Sequence, residues 1–85
     1  MSKLYKRTTV GEVFSNAGTI GTITLTATTA GSATLTDGNG GAHVIDLVCP
    51  ANGSMVVPLK GVAVSTNVYL SAVSGTGATV HVEMI

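Results

Sequence analysis

Charge is what this chain has least of. Four basic and four acidic side chains make up 9% of its 85 residues, where a soluble domain carries about 25%. So little charge leaves neighbouring copies almost unrepelled, which describes a poor free monomer and a better brick in an assembly. The zero net charge excludes the basic footprint of a nucleic-acid binder. Aromatics are scarce too. With no Trp, one Phe (Phe14) and two Tyr (Tyr5, Tyr69), stacking platforms for single strands or sugars are missing, and the core must be aliphatic. The single cysteine, Cys49, excludes an intrachain disulfide. Standing before Pro50, it has the character of a small buried hydrophobe at a strand end. No apolar run approaches the length of a membrane span. The opening residues are basic but lack the apolar stretch of a secretory signal, so synthesis in the cytosol is expected and no membrane partner.

The length allows one domain, whose core near this size supplies only about 3–5 kcal/mol. Small domains make up the deficit with disulfides, metals or partner subunits. Cys49, His43 and His81 follow no zinc-ligand spacing, so no metal or other cofactor is expected. Oligomerisation is the remaining route.

What the chain does have is alternation. In Thr22-Ile23-Thr24-Leu25-Thr26-Ala27-Thr28 every even residue is threonine and every odd one apolar, the pattern of a half-buried strand with a threonine outer face. Residues 32–36 repeat it, with Ala33 and Leu35 inward. Asp37-Gly38-Asn39-Gly40-Gly41 is a hairpin turn. Residues 42–48 place Val44, Asp46 and Val48 on one face and Ile45 and Leu47 on the other. Both faces are largely apolar, which calls for a central strand or one covered by another subunit. Residues 54–60 set Met55, Val57 and Leu59 on one face, and Pro58 confines that strand to an edge or bulge. Gly61 ends it before a short strand at 62–64. Val68, Leu70 and Ala72 then face inward with Tyr69 opposite. Val80, Val82 and Met84 do the same against His81 and Glu83. This amounts to about seven to eight strands at regular spacing with connections too short for helices. The expected fold is all-β, a small antiparallel β-sandwich or jelly-roll-like barrel. Residues 1–17 break the rhythm and are expected as an N-terminal arm plus a short first strand at 11–14, ahead of a β-sandwich domain at 18–85.

No chemistry motif emerges. Asp37 sits in a turn and Glu83 on an outer face. Asp37-Gly38-Asn39-Gly40 has too few carboxylates for calcium. His43 and Asp46 lie three apart on a strand, hence on opposite faces, which disfavours a catalytic pair. Asp46 is either an exposed or hydrogen-bonded strand acid or an interface acid facing Lys60, His43 or a neighbour's arm. The cluster Lys3, Lys6 and Arg7 is either a solvated tail or an arm reaching a neighbouring subunit. Three cations make too few phosphate contacts for a nucleic-acid arm. Catalytic residues are therefore expected to be absent.

From Gly18 onward the order of features resembles small virion structural proteins of tailed bacteriophages. The similarity runs through the alternating strand at 21–26, then 30–38, Asn52-Gly53-Ser54, Val57-Pro58-Leu59, 66–70 and 74–82. Residues 1–17 lie outside it. The resemblance implies a β-sandwich subunit on the particle, such as a capsid decoration (cement) protein or a head–tail or tail-surface component. It also implies a homo-oligomer, a trimer or another ring, that contacts the major capsid protein or other virion proteins. The expected contact residues are Val44, Asp46, Val48, Val56 and Tyr69, opposite the well-defined inward faces, with Lys3, Lys6 and Arg7 next. The alternative is a carbohydrate-binding β module of a tail or head fibre, using Tyr69 with Glu83 or Asp46.

Overall fold

The computed structural model describes residues 3–85. Eight strands follow one another: β1 (Lys3–Arg7), β2 (Gly11–Phe14), β3 (Gly18–Ala27), β4 (Gly31–Asp37), β5 (Ala42–Cys49), β6 (Gly53–Val64), β7 (Val68–Ser74) and β8 (Thr79–Met84). They form two four-stranded antiparallel sheets, ordered β1-β8-β3-β6 and β2-β7-β4-β5. The pairing is nested. β1 runs against β8, β2 against β7, β3 against β6 and β4 against β5, while β3–β8 and β4–β7 join these pairs side by side. The chain is thus a long two-stranded ribbon rolled over on itself, the arrangement of an eight-stranded jelly roll.

Alternation builds the core between the sheets. Ile23 and Leu25 of β3, Leu35 of β4, Leu70 of β7, and Val80 and Val82 of β8 are fully buried. The intervening Thr22, Thr24 and Thr26 are half-buried on the outer face of the first sheet. There Thr24 stands between His81 and Val56 in register. Cys49 is buried, as a strand-end hydrophobe.

Edge positions fall to β1 and β6 in the first sheet and to β2 and β5 in the second. Pro58 therefore lies on an edge strand, where its missing N–H costs no ladder bond on the free side. The segment 53–64 is one continuous strand instead of two. Lys60 (φ 56°) and Gly61 (φ 100°) absorb an irregularity in the β3–β6 register, and the strand resumes beyond them.

Several expectations change. Lys3–Arg7 is no free arm: it adds to the chain's own sheet, with Tyr5 opposite Val82 and Lys6 opposite His81. Tyr5 then meets Phe14 of β2 at a ring-centroid distance of 5.0 Å and closes that side of the sandwich. β5 is an edge strand, not a central one. A bulge at Val44 sets Leu35 opposite Ile45 but Thr36 opposite His43. Val44 turns to pack against the core, so it is not an outward contact. A second bulge sets Thr34 opposite Ala72 but Leu35 opposite Leu70. Beyond it Ala72 is exposed and Val73 packs on the core in its place. One extra residue reverses the facing of everything after it, because strand side chains have a period of two.

Candidate intersubunit surfaces

The bulge at Val44 also decides the relation of His43 to Asp46. Strict alternation places them on opposite faces. With one residue extra they share the outer face of the second sheet, and His43 Nε2 lies 3.5 Å from Asp46 Oδ2. Thr34 Oγ1 donates to Asp46 Oδ1 at 2.7 Å. The pair is open to water, with side chains 56% and 67% exposed, so its attraction is worth little. Tyr69 lies half-buried on the same face, between Glu12 and Thr36 in register. Glu83 belongs to the other sheet and stands opposite Leu4. Of the two acids expected beside Tyr69, the fold therefore leaves only Asp46 on its face.

Asp37 has a role that sequence reasoning assigned only to a turn. Its Oδ2 accepts from Ser65 N at 2.9 Å and Ser65 Oγ at 3.0 Å, and its Oδ1 from Thr66 N at 2.8 Å. These bonds, led by the two backbone N–H donors, hold its carboxyl below the ordinary value of 3.8. Asp37 thereby ties the end of β4 to the β6–β7 connection. The only hint in the sequence is the Ser65-Thr66 dipeptide, remote along the chain.

Arg7 is likewise committed within the chain. Its guanidinium donates to the carbonyls of Thr9 (2.8 Å), Val10 (3.1 Å) and Glu12 (3.3 Å), gathering the β1–β2 turn around one planar fork. It is not a reaching cation. Lys3 and Lys6 are exposed on β1, and neither forms an ion pair among the described residues.

The large exposed hydrophobics divide between the two lateral sides of the sandwich. Val48 on β5 (64% exposed) and Met55, Val56 (56%) and Val62 on β6 occupy one side. Leu4 on β1 (67% exposed), Val10 in the β1–β2 turn and Ile85 after β8 occupy the other. On that second side a cleft of about 200 Å³ opens between Lys3, Tyr5, Phe14, Met84 and Ile85. A further cleft of about 250 Å³, bounded by Thr8, Val73, Gly75, Gly77, Ala78 and Thr79, has no ionisable side chain in its lining. Among the described residues no three His, Cys, Asp or Glu side chains gather as a metal site. Of the expected contact residues, Val48 and Val56 flank one side of the sandwich. Lys3 and Lys6 lie along the other, and Asp46 and Tyr69 share a broad face.

These features define a small all-β sandwich whose strand edges, more than any pocket, are its distinctive surface. No family model, curated protein or solved structure matches the chain.

Proposed function

We propose that this chain is a non-enzymatic virion structural protein, an oligomeric decoration (cement) subunit that stabilises a tailed-phage capsid through subunit–subunit contacts. The observation that carries the reading is the β5–β6 side. A twelve-residue edge strand lies there uncovered beside an eight-residue one, with exposed valines on both. Proteins that live as monomers blunt such edges with charge, proline, bulges, shortness or cover. Pro58 and the irregularity at Lys60 and Gly61 blunt the middle of β6, while Gly53–Val57 carries neither charge nor proline. Covering a standard interface of about 1,600 Å² in total would add to a thin core the burial that it lacks. The fold is compatible with the reading, since jelly rolls occur in capsid proteins as well as in lectins. In this reading copies assemble as a ring, with a trimer the simplest, and bind the major capsid protein of the particle.

Quantifying copies per purified particle tests the proposal. A number that scales with the area of the capsid shell supports decoration. A number limited to a single vertex moves the subunit to the connector or tail, and absence from the particle overturns the reading.

One observation favours a second reading, a carbohydrate-binding module. Tyr69, Thr36 and His43 align across the second sheet, with the exposed carboxylate of Asp46 beside His43. Binding on a glycan array that disappears in Tyr69→Ala would establish it.

A further inference from the structure

The two lateral sides of the sandwich are different surfaces, each incomplete. On the β5–β6 side Met55 and Val62 stand in register with inward Leu25 and Ile20, Val56 with Thr24 on the outer face of the first sheet, and Val48 with Ser32 on that of the second, all of them exposed. The β1–β2 side offers a cleft walled by Tyr5, Phe14, Met84 and Ile85, with exposed Leu4 on the adjoining strand. They lie at opposite edges of both sheets, so one copy cannot bring them together.

We propose that a second copy of this chain covers each: the β5–β6 side of one copy seats against the β1–β2 side of the next. The contact is head to tail, and β6 of one copy runs beside β1 of its neighbour. This rests on the reading above only in requiring self-association.

Three features favour this occupant. The first is strand direction. Every neighbour in the order β1-β8-β3-β6 is antiparallel, so the two edges of this four-stranded sheet run in opposite directions. A copy related by rotation about an axis along the strands keeps its orientation and presents β1 antiparallel to the neighbouring β6. The sheet then continues across the junction without inversion.

Charge is the second. Antiparallel self-pairing of β1 about Tyr5 would set Lys3 against Arg7 and Leu4 against Lys6. Like charges directly opposite are unfavourable, so β1 is guarded against its own copy. The β6 edge that β1 would meet carries one cation, Lys60, in its twelve residues, so the Lys3 and Lys6 edge meets less like charge there than against a second β1.

Coverage is the third. A two-fold contact uses the same patch on both partners and would leave the other side of each copy bare. One head-to-tail contact repeated covers both. A standard contact takes roughly 800 Å² per partner, under a fifth of the 4398 Å² that the chain exposes, so each copy has room for two.

A mixing experiment with the full chain tests this by light scattering after size exclusion. Wild type is expected at three or more times the 8.5 kDa chain mass. Val48→Lys with Val56→Lys spoils one side, and Leu4→Lys with Ile85→Lys spoils the other. Each double variant alone is expected at the monomer mass. Mixed in equal amounts, the two retain one complementary pair of intact sides and are expected to form a species of twice the monomer mass. Far-UV circular dichroism checks that each variant is folded. If a lysine variant loses its sheet spectrum, the threonine versions at the same positions carry the test. A monomeric wild type, a two-fold dimer abolished by only one of the variants, or a mixture that stays monomeric each overturns the proposal. A ring that forms in solution but never binds particles would sink the virion reading and leave this contact intact.

Discussion

The central strands and the edge strands are written in the same few residues, and the fold treats them oppositely. In β3 threonine and aliphatic residues alternate, and Ile23 and Leu25 are fully buried while the threonines share the outer surface. In β6 the valines fall on both faces, and Val56 is 56% exposed. Hydrophobicity is comparable; the number of sheet neighbours is not. β3 has β8 and β6 on its two sides, whereas β6 has β3 alone. The difference teaches that a half-apolar central strand completes a core within the chain. A strand apolar on both faces at an edge leaves surface for something outside it.

The strongest way to break this contrast is from the centre. Leu25→Ala removes a fully buried side chain packed between the sheets. Such truncations cost about 2–5 kcal/mol, a large share of the roughly 5–15 kcal/mol that holds a domain folded. Calorimetry or thermal circular dichroism is expected to show the melting temperature falling by more than about 10 °C, at roughly 4–8 °C per kcal/mol in a domain this small. A drop of only a few degrees would mean that the core is looser than its burial indicates.

Asp37 joins the two regions, since it stands at the end of a central strand and holds the loop that leaves edge strand β6. Its carboxyl is lowered in the fold from an ordinary 3.8. The stabilisation is therefore fully present above the unfolded value and is lost as pH falls through the lower folded value. Asp37→Asn is expected to melt lower than wild type at neutral pH, by less than Leu25→Ala does. The gap should close as pH is taken below the ordinary carboxylate range. Paired melting curves across acid pH read this directly, and a gap independent of pH would count against the carboxylate as the source.

The edge itself holds a strained residue. Lys60 sits at φ 56° and Asn52, in the turn before β6, at φ 54°. Asn tolerates this left-handed region better than a long side chain does. Lys60→Asn is expected to raise stability by about 0.5 kcal/mol, a shift of a few degrees. Gly61, at φ 100°, is in a conformation that L side chains rarely adopt, so the same gain is not open there.

The legibility of the sequence follows the same division. Strict alternation at 22–28 and 79–85 announced β3 and β8, and the glycine-rich turn at 37–41 announced the β4–β5 hairpin. Turn chemistry and period-two patterning are local, and local signals survive folding where both neighbours are present. The sequence was silent on partners: nothing in residues 3–7 says that they pair with 80–84. Apart from Pro58, which marked an edge or bulge in β6, it was also silent on bulges. A single extra residue at Val44 turned that side chain inward and put His43 beside Asp46. A bulge is a compromise between two paired strands, so neither strand encodes it alone. The edge surfaces were half legible. The outward position of Val48 and Val56 was legible because they oppose a clear inward face, while the bonds of Arg7 were not, because its acceptors are backbone carbonyls, which carry no sequence signal.

The smallest effect on folding is expected where the effect on assembly is greatest. Val48 and Val56 are more than half exposed, and threonine keeps their β-branched shape and strand preference. Exposed substitutions of this kind usually change stability by no more than about 0.5 kcal/mol. Val48→Thr with Val56→Thr should therefore leave the melting curve of the dilute chain where it is. Each replacement removes a methyl group from the apolar side and leaves a hydroxyl that must shed water on contact, at a cost of roughly 1–3 kcal/mol unless it finds a partner. Sedimentation equilibrium is then expected to show self-association weakened by at least tenfold, because about 1.4 kcal/mol corresponds to one decade. If both the melting curve and the association constant stay put, the β5–β6 side is ordinary surface and the contrast between centre and edge has no functional meaning. If the melting temperature falls with the association constant, the edge strands belong to the fold's own core after all.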